Sequence, residues 1–194
     1  MQINIQTGLI RKIQGVSELG TKEILTTRLL LRKLTVQDSE QMFHHWAANE
    51  NVTKYLRWHP HRQLDTVIAS LQKRETLYQK ADYYDWGIEI QATKELIGTI
   101  TVVNTFPEIK TLEIGYVIGE NWWGNGYTLE ALQAVSNYLF TATDTIRLEA
   151  TCDDNNLQSK KVLVKAGFLY EGTLKQRGLN SQGIVDLCMY ALLR

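Results

Sequence analysis

Residues 113–132 read EIGYVIGENWWGNGYTLEAL, which runs from a strand-like segment through a glycine turn into a helix-like segment. The apolar run at 112–118 is typical of a β-strand. Apolar residues then recur at three- and four-residue spacing, as in a helix packed on a core: Leu129, Leu132, Val135 and Leu139. Gly124 and Gly126 allow successive backbone N–H groups to converge on one point, where the helix N-terminus adds partial positive charge. The stretch therefore predicts a strand–turn–helix unit that can hold a pyrophosphate without formal charge.

Two other phosphate-binding patterns do not fit this turn. A Walker loop requires Gly-Lys-Ser/Thr, and a dinucleotide-binding turn requires a third glycine; neither is present. The glycine spacing alone also fits a tight turn that serves packing only. The chemistry of the turn therefore has to be interpreted together with the rest of the chain.

The remaining sequence alternates between strand-like and helix-like segments. Apolar runs predict strands at 27–34, 86–90, 96–103, 112–118, 146–152 and 185–192, and a polar turn at 91–95 makes a hairpin of the second and third. Apolar spacing predicts helices after Thr35, at 64–78, after Gly126 and at 156–166, with Gly167 at the C-cap of the last. Helices, then a meander, then strand–helix alternation predict one α/β (α+β) domain around a mixed sheet.

Composition excludes several classes of protein. The 194 residues suit one domain, and 21 Lys and Arg balance 21 Asp and Glu, so no general nucleic-acid or anionic-membrane surface is expected. Residues 1–20 lack the basic-then-apolar build of a signal peptide, and no apolar run reaches membrane-spanning length, so a cytoplasmic location is expected. Cys152 and Cys188 are too few to staple a secreted fold, and their apolar neighbours predict buried thiols rather than nucleophiles.

Several motifs together resemble the GNAT N-acetyltransferases. The acetyl-CoA motif of that family is similar to EIGY at 113–116, WWGNGY at 122–127 and EAL at 130–132. The family's second motif is similar to DNNLQS at 154–159 and KAGF at 165–168. TRLLLR at 27–32 and VTKYL at 52–56 resemble the start of the RimJ/RimL-like branch, which acetylates ribosomal-protein N-termini. The resemblance covers about residues 24–194 and implies a mostly antiparallel sheet of six to seven strands, flanked by helices and splayed at the acetyl-CoA strand.

The resemblance also implies which residues bind acetyl-CoA. The strand residues Tyr116, Val117 and Ile118 would splay from their neighbour and pair with the pantetheine amides. The turn that would hold the pyrophosphate consists of Trp123, Gly124, Asn125, Gly126, Tyr127 and Thr128. Asn156 and Ser159 would face the pantetheine and the sulfur. The family usually has Gln or Arg at the position of Asn121, so one pyrophosphate contact is expected to be lost here.

The implied reaction is direct transfer of acetyl to a primary amine in a ternary complex. Ser159 matches the position that donates to the leaving thiolate, with a small helix residue packed against the cofactor as the alternative. A general base must remove the amine proton, and the glutamate that serves the ribosomal branch falls at Gly178 here. Glu113 is the replacement we favour, with an ion-paired structural carboxylate as the alternative, and Glu89 on the neighbouring strand is the next candidate.

The acceptor and the assembly remain open at this stage. The preferred acceptor is a protein N-terminal amine; the alternatives are a small-molecule amine or a CoA-binding domain without catalysis. The histidines are His44, His45, His59 and His61, and none has a partner at metal-ligand spacing, so no metal is expected. The segment 58–61 is expected to overhang the acceptor side. A homodimer is left open.

Overall fold

The computed structural model describes residues 20–194, so the expectation for residues 1–19, including the absence of a signal peptide, lies outside the described residues. The strands are β1 (Ile24–Leu25), β2 (Leu29–Arg32), β3 (Asp85–Ile90), β4 (Leu96–Phe106), β5 (Thr111–Ile118), β6 (Arg147–Asp153), β7 (Leu169–Asn180) and β8 (Gly183–Leu193). The helices are α1 (Ser39–Met42, continued by a π-turn at Phe43–Ala47), α2 (Glu50–Thr53), α3 (Leu64–Leu77), α4 (Tyr127–Ala142) and α5 (Leu157–Lys165). None of the helices in this part of the chain is long and apolar enough to cross a membrane.

The strands form one sheet in the order β1-β2-β3-β4-β5-β6-β8-β7, in which every neighbouring pair is antiparallel except β5 and β6. The predicted α/β class and the mostly antiparallel sheet are confirmed. The expected six to seven strands are eight. The two-residue β1 is too short to give a sequence pattern. β7 is mostly exposed and its register shifts twice, so it lacks regular apolar alternation.

The parallel pair β5–β6 is joined over a short length. Its register runs from Thr111 opposite Arg147 to Glu113 opposite Glu149 and then ends, although both strands continue. On its other side β5 stays paired with β4 from Thr111 to Ile118. β6 stays paired with β8 from Arg147 to Asp153. The two halves of the sheet therefore separate beyond Glu113, which confirms the predicted splay.

The two faces of the sheet carry separate hydrophobic cores. One core packs α4 and α5 against β5 residues Ile114 and Ile118. The other lies under α1 and α3, is centred on Trp46 and Leu71, and includes Val117 from β5 as a partly buried neighbour. Alternation along β5 thus directs Glu113, Gly115 and Val117 to one face and Ile114, Tyr116 and Ile118 to the other.

The ends of α5 confirm a local prediction. Asn156 caps its N-terminus, where the side-chain oxygen accepts from the backbone N–H of Ser159 at 3.1 Å. Gly167 follows its C-terminus with φ +93°, a left-handed conformation that favours glycine. These two caps fix where α5 begins and ends, and hence where Ser159 lies relative to β6.

A buried carboxylate connects α3 to the sheet. Asp85 on β3 is fully buried and accepts from Arg74 at 2.9 Å, from Tyr78 and Tyr83 at 3.2 Å each, and from Thr101. Burial and the charge of Asp85 raise the pKa of both tyrosines, so they remain hydrogen-bond donors. Asp85 therefore holds α3 against β3 and β4 through satisfied polar contacts.

Removing the cation from this network should be costly. We predict that Arg74→Met lowers the free energy of unfolding by about 3 kcal/mol, because the buried Asp85 carboxylate loses its countercharge. Denaturant unfolding measures the change. The control is Arg62→Met, which removes an exposed ion pair with Glu50 and should change stability by less than about 0.5 kcal/mol. Equal effects of the two substitutions would contradict this account of Asp85.

Candidate active site

The divergence of β5 and β6 opens a cavity of about 530 Å³. Its sheet wall is formed by residues 113–117 of β5 and 151–153 of β6. α5 contributes Ser159 and its N-cap Asn156, and the opposite side is formed by α1, α3 and the segment between α2 and α3. The cavity therefore brings together Glu113, Tyr116, Val117, Asn156 and Ser159, five of the residues predicted from sequence.

Three side chains that can donate a hydrogen bond lie beside α5. The Tyr116 hydroxyl and the Ser159 hydroxyl lie 2.8 Å apart, and Cys152 on β6 lines the same cavity. Burial raises the pKa of Tyr116, and burial followed by the proximity of Cys188 raises the pKa of Cys152 to about 11. All three groups are therefore protonated near neutral pH and can donate hydrogen bonds into this end of the cavity. The sequence prediction placed Tyr116 at the cofactor but did not foresee its bond to Ser159.

The glycine turn lies beyond the cavity, between the end of β5 and α4. Gly124 and Gly126 both have φ +79°, in the left-handed region, as the alternate spacing predicts. Among residues 20–194, no acceptor is bound by the backbone N–H groups of Gly124, Asn125 or Gly126. The Trp123 indole donates to the Ile118 carbonyl at 2.9 Å and ties the turn to β5. The turn thus presents free donors at the start of a sixteen-residue helix.

Arg28, which directly precedes β2, stabilises this turn. Its guanidinium donates to Glu130 on α4 at 2.7 Å and to the Asn125 carbonyl at 2.9 Å, and lies over the Tyr127 ring at 4.5 Å. Glu130 also accepts from the Arg28 backbone and from Thr26. The contact between Arg28 and the turn was not predicted, because nothing in a single sequence connects residue 28 with residue 125.

Glu113 lies where β5 and β6 separate and is only 7% exposed. Its carboxylate accepts from Asn104 at 2.5 Å and from Thr151 at 2.9 Å, and Arg57 approaches to 3.4 Å. Asn104 is opposite Glu113 because the β4–β5 register shifts between Val102 and Asn104. Glu113 therefore lines the cavity with its carboxylate oriented by neighbours on β4 and β6.

The other carboxylate positions considered from sequence lie elsewhere. Glu89 is bound by Arg32 at 2.6 Å and is not among the residues that line the cavity, so it does not face the site. Gly178 pairs with Val185 in the β7–β8 hairpin. A Cβ at Gly178 would lie 2.7 Å from the Leu187 side chain, so a glutamate does not fit there unless Leu187 moves. Glu113 and Asp153 are the carboxylates that line the cavity.

The segment between α2 and α3 covers one side of the cavity with Trp58 and His61, whereas His59 and Pro60 line a separate pocket. Trp58 and His61 stack with ring centres 5.1 Å apart, and burial lowers the pKa of His61, so its ring is neutral at pH 7. Ser181 and Gln182, at the tip of the β7–β8 hairpin, donate to the Lys54 carbonyl at 2.9 and 3.2 Å. The hairpin tip is thus fixed against the end of α2, next to the cavity-lining residues 55–58. No group of three or more potential metal ligands occurs among residues 20–194.

The charges around the cavity balance. Its lining contains Arg57, Arg74, Glu113 and Asp153. Arg74 is paired with Asp85, and Arg57 approaches Glu113. Asp153 accepts from Asn180 at 2.6 Å and from the Asn155 backbone at 2.8 Å. The cavity therefore has no surplus of negative charge for a polycation.

Comparisons with known proteins agree with this geometry. Residues 28–169 match the sequence model of the acetyltransferase (GNAT) domain. The uncharacterised N-acetyltransferase YoaA of Bacillus subtilis is 34% identical over 169 residues, covering 87% of this chain and 95% of YoaA. The ribosomal-protein-serine acetyltransferase of Escherichia coli is 36% identical over 97 residues, covering 50% of this chain and 54% of that protein.

A solved structure gives the same fold. RimL, described as a ribosomal L7/L12 α-N-protein acetyltransferase, superposes with a TM-score of 0.80 at 24% identity, covering 89% of this chain and 98% of RimL. That structure contains coenzyme A in a disulfide with one of RimL's own cysteines. At this identity the likeness establishes the fold.

Proposed function

The chain belongs to the GNAT acetyltransferase family, and from this premise we propose that it transfers acetyl from acetyl-CoA to the α-amine of a protein N-terminus. The observation that carries the proposal is the charge-balanced cavity at the splay of β5 and β6, with Glu113 on one side and the Tyr116–Ser159 hydroxyl pair on the other. A relative that acetylates ribosomal-protein serine supports the acceptor class. A cytoplasmic location belongs to the same proposal.

The backbone of β5 supplies the binding edge for pantetheine. Gly119 donates to Ile97 of β4, so by alternation Tyr116 and Ile118 direct their backbone groups toward the gap that β6 leaves. An extended amide chain is bound there as a strand would be. The Ile118 N–H, within the 117–118 stretch expected from sequence, is our candidate donor to the developing oxyanion. The free N–H groups of residues 124–126 bind the pyrophosphate, and Arg28 keeps that turn in place.

The hydroxyl pair serves the sulfur end. A thiolate leaving group, with an ordinary pKa of about 8.5, is stabilised by hydrogen bonds from groups that stay protonated. Ser159 is such a group, and its bond to Tyr116 restricts where its hydroxyl can point. Cys152 borders the same place, and RimL holds coenzyme A through one of its cysteines. We assign Ser159 as the donor to the thiolate and Tyr116 as the residue that orients it.

The acceptor side favours a single amine of low basicity. An α-amine has a pKa of about 8, whereas an alkyl amine has a pKa of about 10.4, so at pH 7 the neutral, reactive fraction of the α-amine is about 10²-fold larger. A polyamine or aminoglycoside would also bring several positive charges to a cavity without surplus negative charge. An N-terminal α-amine therefore suits this site better than a polycationic acceptor, with Glu113 accepting its proton directly or through water.

The glycine turn gives the first test. We predict that Gly124→Ala raises the Kd for acetyl-CoA about 10-fold, because a Cβ there strains a left-handed backbone and occupies the space that we assign to the pyrophosphate. Gly183→Ala is the matched control: it also has positive φ and open space around it, but it lies in the β7–β8 hairpin. Calorimetric titration of the folded variants compares them. Unchanged affinity in Gly124→Ala would refute the assigned cofactor turn.

Acceptor preference gives the second test. We predict a kcat/KM at pH 7 about 10²-fold higher for a short peptide with a free N-terminal Ser or Ala than for spermidine. The control peptide has a blocked N-terminus and one internal lysine, so that only an ε-amine remains. Release of free CoA thiol measures turnover. A preference for spermidine, or equal turnover of the blocked peptide, would contradict the proposal that the acceptor is an N-terminal α-amine.

The base gives the third test. We predict that Glu113→Gln lowers kcat about 10²-fold, because the amide keeps the shape of the side chain but cannot accept a proton. Glu89→Gln, another buried carboxylate of the same sheet, should retain nearly full kcat because it does not line the cavity. The acidic limb of the pH–kcat profile should also disappear in Glu113→Gln alone. A Glu113→Gln enzyme with wild-type rate and wild-type profile would leave Glu113 with a structural role only.

A further inference from the structure

The proposed mechanism leaves a pair of cysteines unused. Cys152 on β6 is directly opposite Cys188 on β8, and both thiols are free and buried. Directly opposed residues of antiparallel strands have side chains on the same face and Cα atoms about 4.5–5.5 Å apart. A disulfide requires a Cα separation of about 4.4–6.8 Å. The sheet therefore holds the two Cα atoms within the range over which a disulfide forms.

The two thiols have different surroundings. Cys152 lines the cavity beside Ser159, whereas Cys188 lies behind it and is 1% exposed. Cys188 donates to the Asp154 carboxylate at 2.9 Å, and the Lys160 ammonium is an electrostatic neighbour of the same sulfur. Thr173 lies 3.3 Å from it on the β7 side. Cys188 is thus held in a fixed orientation by Asp154 and Thr173, with its sulfur on the β8 side of Cys152.

We propose that Cys152 and Cys188 form a dithiol site that reduces disulfides of CoA delivered through the cofactor cleft. The inference rests on the proposed function, since it requires the CoA moiety to bind with its sulfur near Ser159. Cys152 is the attacking cysteine because it faces the cavity. Cys188 is the resolving cysteine because it faces Cys152 from the adjacent strand.

The chemistry balances in two exchanges. Cys152 attacks one sulfur of CoA disulfide, which forms a Cys152–CoA mixed disulfide and expels one CoA thiolate that takes up the Cys152 proton. Cys188 then attacks the Cys152 sulfur, which forms the Cys152–Cys188 disulfide and expels the second CoA thiolate, and this thiolate takes up the Cys188 proton. Two protein thiols are oxidised, and CoA disulfide is reduced to two CoA thiols. The mixed disulfide fills the cleft, so the second exchange also clears the site for acetyl-CoA.

Burial gives the site its selectivity. Because Cys152 is only 7% exposed and its pKa is raised to about 11, little thiolate is available to reagents that arrive by chance. A disulfide that carries CoA is held against Cys152 by the cleft itself, and this high local concentration compensates for the small thiolate fraction. Glutathione disulfide lacks the pyrophosphate that we assign to the glycine turn.

The test uses the reduced full-length protein, CoA disulfide and intact-mass measurement after acid quenching. The wild type should become two hydrogen atoms lighter, carry no adduct and release two CoA thiols per chain. Cys188→Ala should stop at a stable CoA adduct on Cys152 and release one. Cys152→Ala should remain unmodified. Glutathione disulfide at equal concentration should react at least about 10-fold more slowly with the wild type.

Specific outcomes would overturn the proposal. A CoA adduct that persists in the wild type as in Cys188→Ala would show that Cys188 does not resolve it. Failure of Cys188→Ala to acquire an adduct while it binds CoA normally would remove Cys152 as the attacking residue. Cys188→Ser repeats the test with a second side chain should alanine pack poorly. Titration of the reduced wild type with CoA distinguishes failure of the dithiol proposal from failure of the proposed function. If CoA does not bind, the proposed function is refuted rather than the dithiol site.

Discussion

The cavity that we propose as the active site exists because β5 and β6 are paired over only a short length. They pair as parallel strands from Thr111 to Glu113 and then separate, while each remains bound to its antiparallel partner. The backbone groups that β5 would have given to β6 are left for an extended ligand. The same separation places Glu113 at the junction and brings Cys152 and Ser159 to the open end. A fully paired sheet would have neither a cleft nor an exposed binding edge.

The polar groups around this gap have partners before any ligand arrives. Glu113 and Asp153 each accept from neighbouring side chains, and Tyr116 and Ser159 contact each other. Such groups are costly to bury without partners, so the network that satisfies them also determines their orientation. These side chains are therefore oriented when the protein folds, before a ligand binds. Binding then has fewer side chains left to immobilise.

Local patterns predicted the parts of the site that are contiguous in sequence. The apolar run of β5, the two left-handed glycines and the caps of α5 each have a short-range cause. Contacts between distant segments were not predictable in this way: Arg28 with the turn, Arg57 with Glu113, and Asn180 with Asp153. A single sequence does not show which segments become neighbours. The mostly exposed β7 was missed as a strand for a related reason, since its pairing with β8 rather than its own pattern makes it one.

The position of β8 has a consequence for how the protein is made. β8 is the last strand in the sequence, yet it lies between β6 and β7 in the sheet. A nascent chain that still lacks residues 183–193 has nothing to join β7 to the rest of the sheet, and β6 is an open edge. β8, which lies beside Cys152, therefore joins the sheet after the strands that precede it. The hairpin tip that contacts Lys54 forms together with β8. The cleft is therefore complete only after residues 183–193 have been made and have paired with β6 and β7.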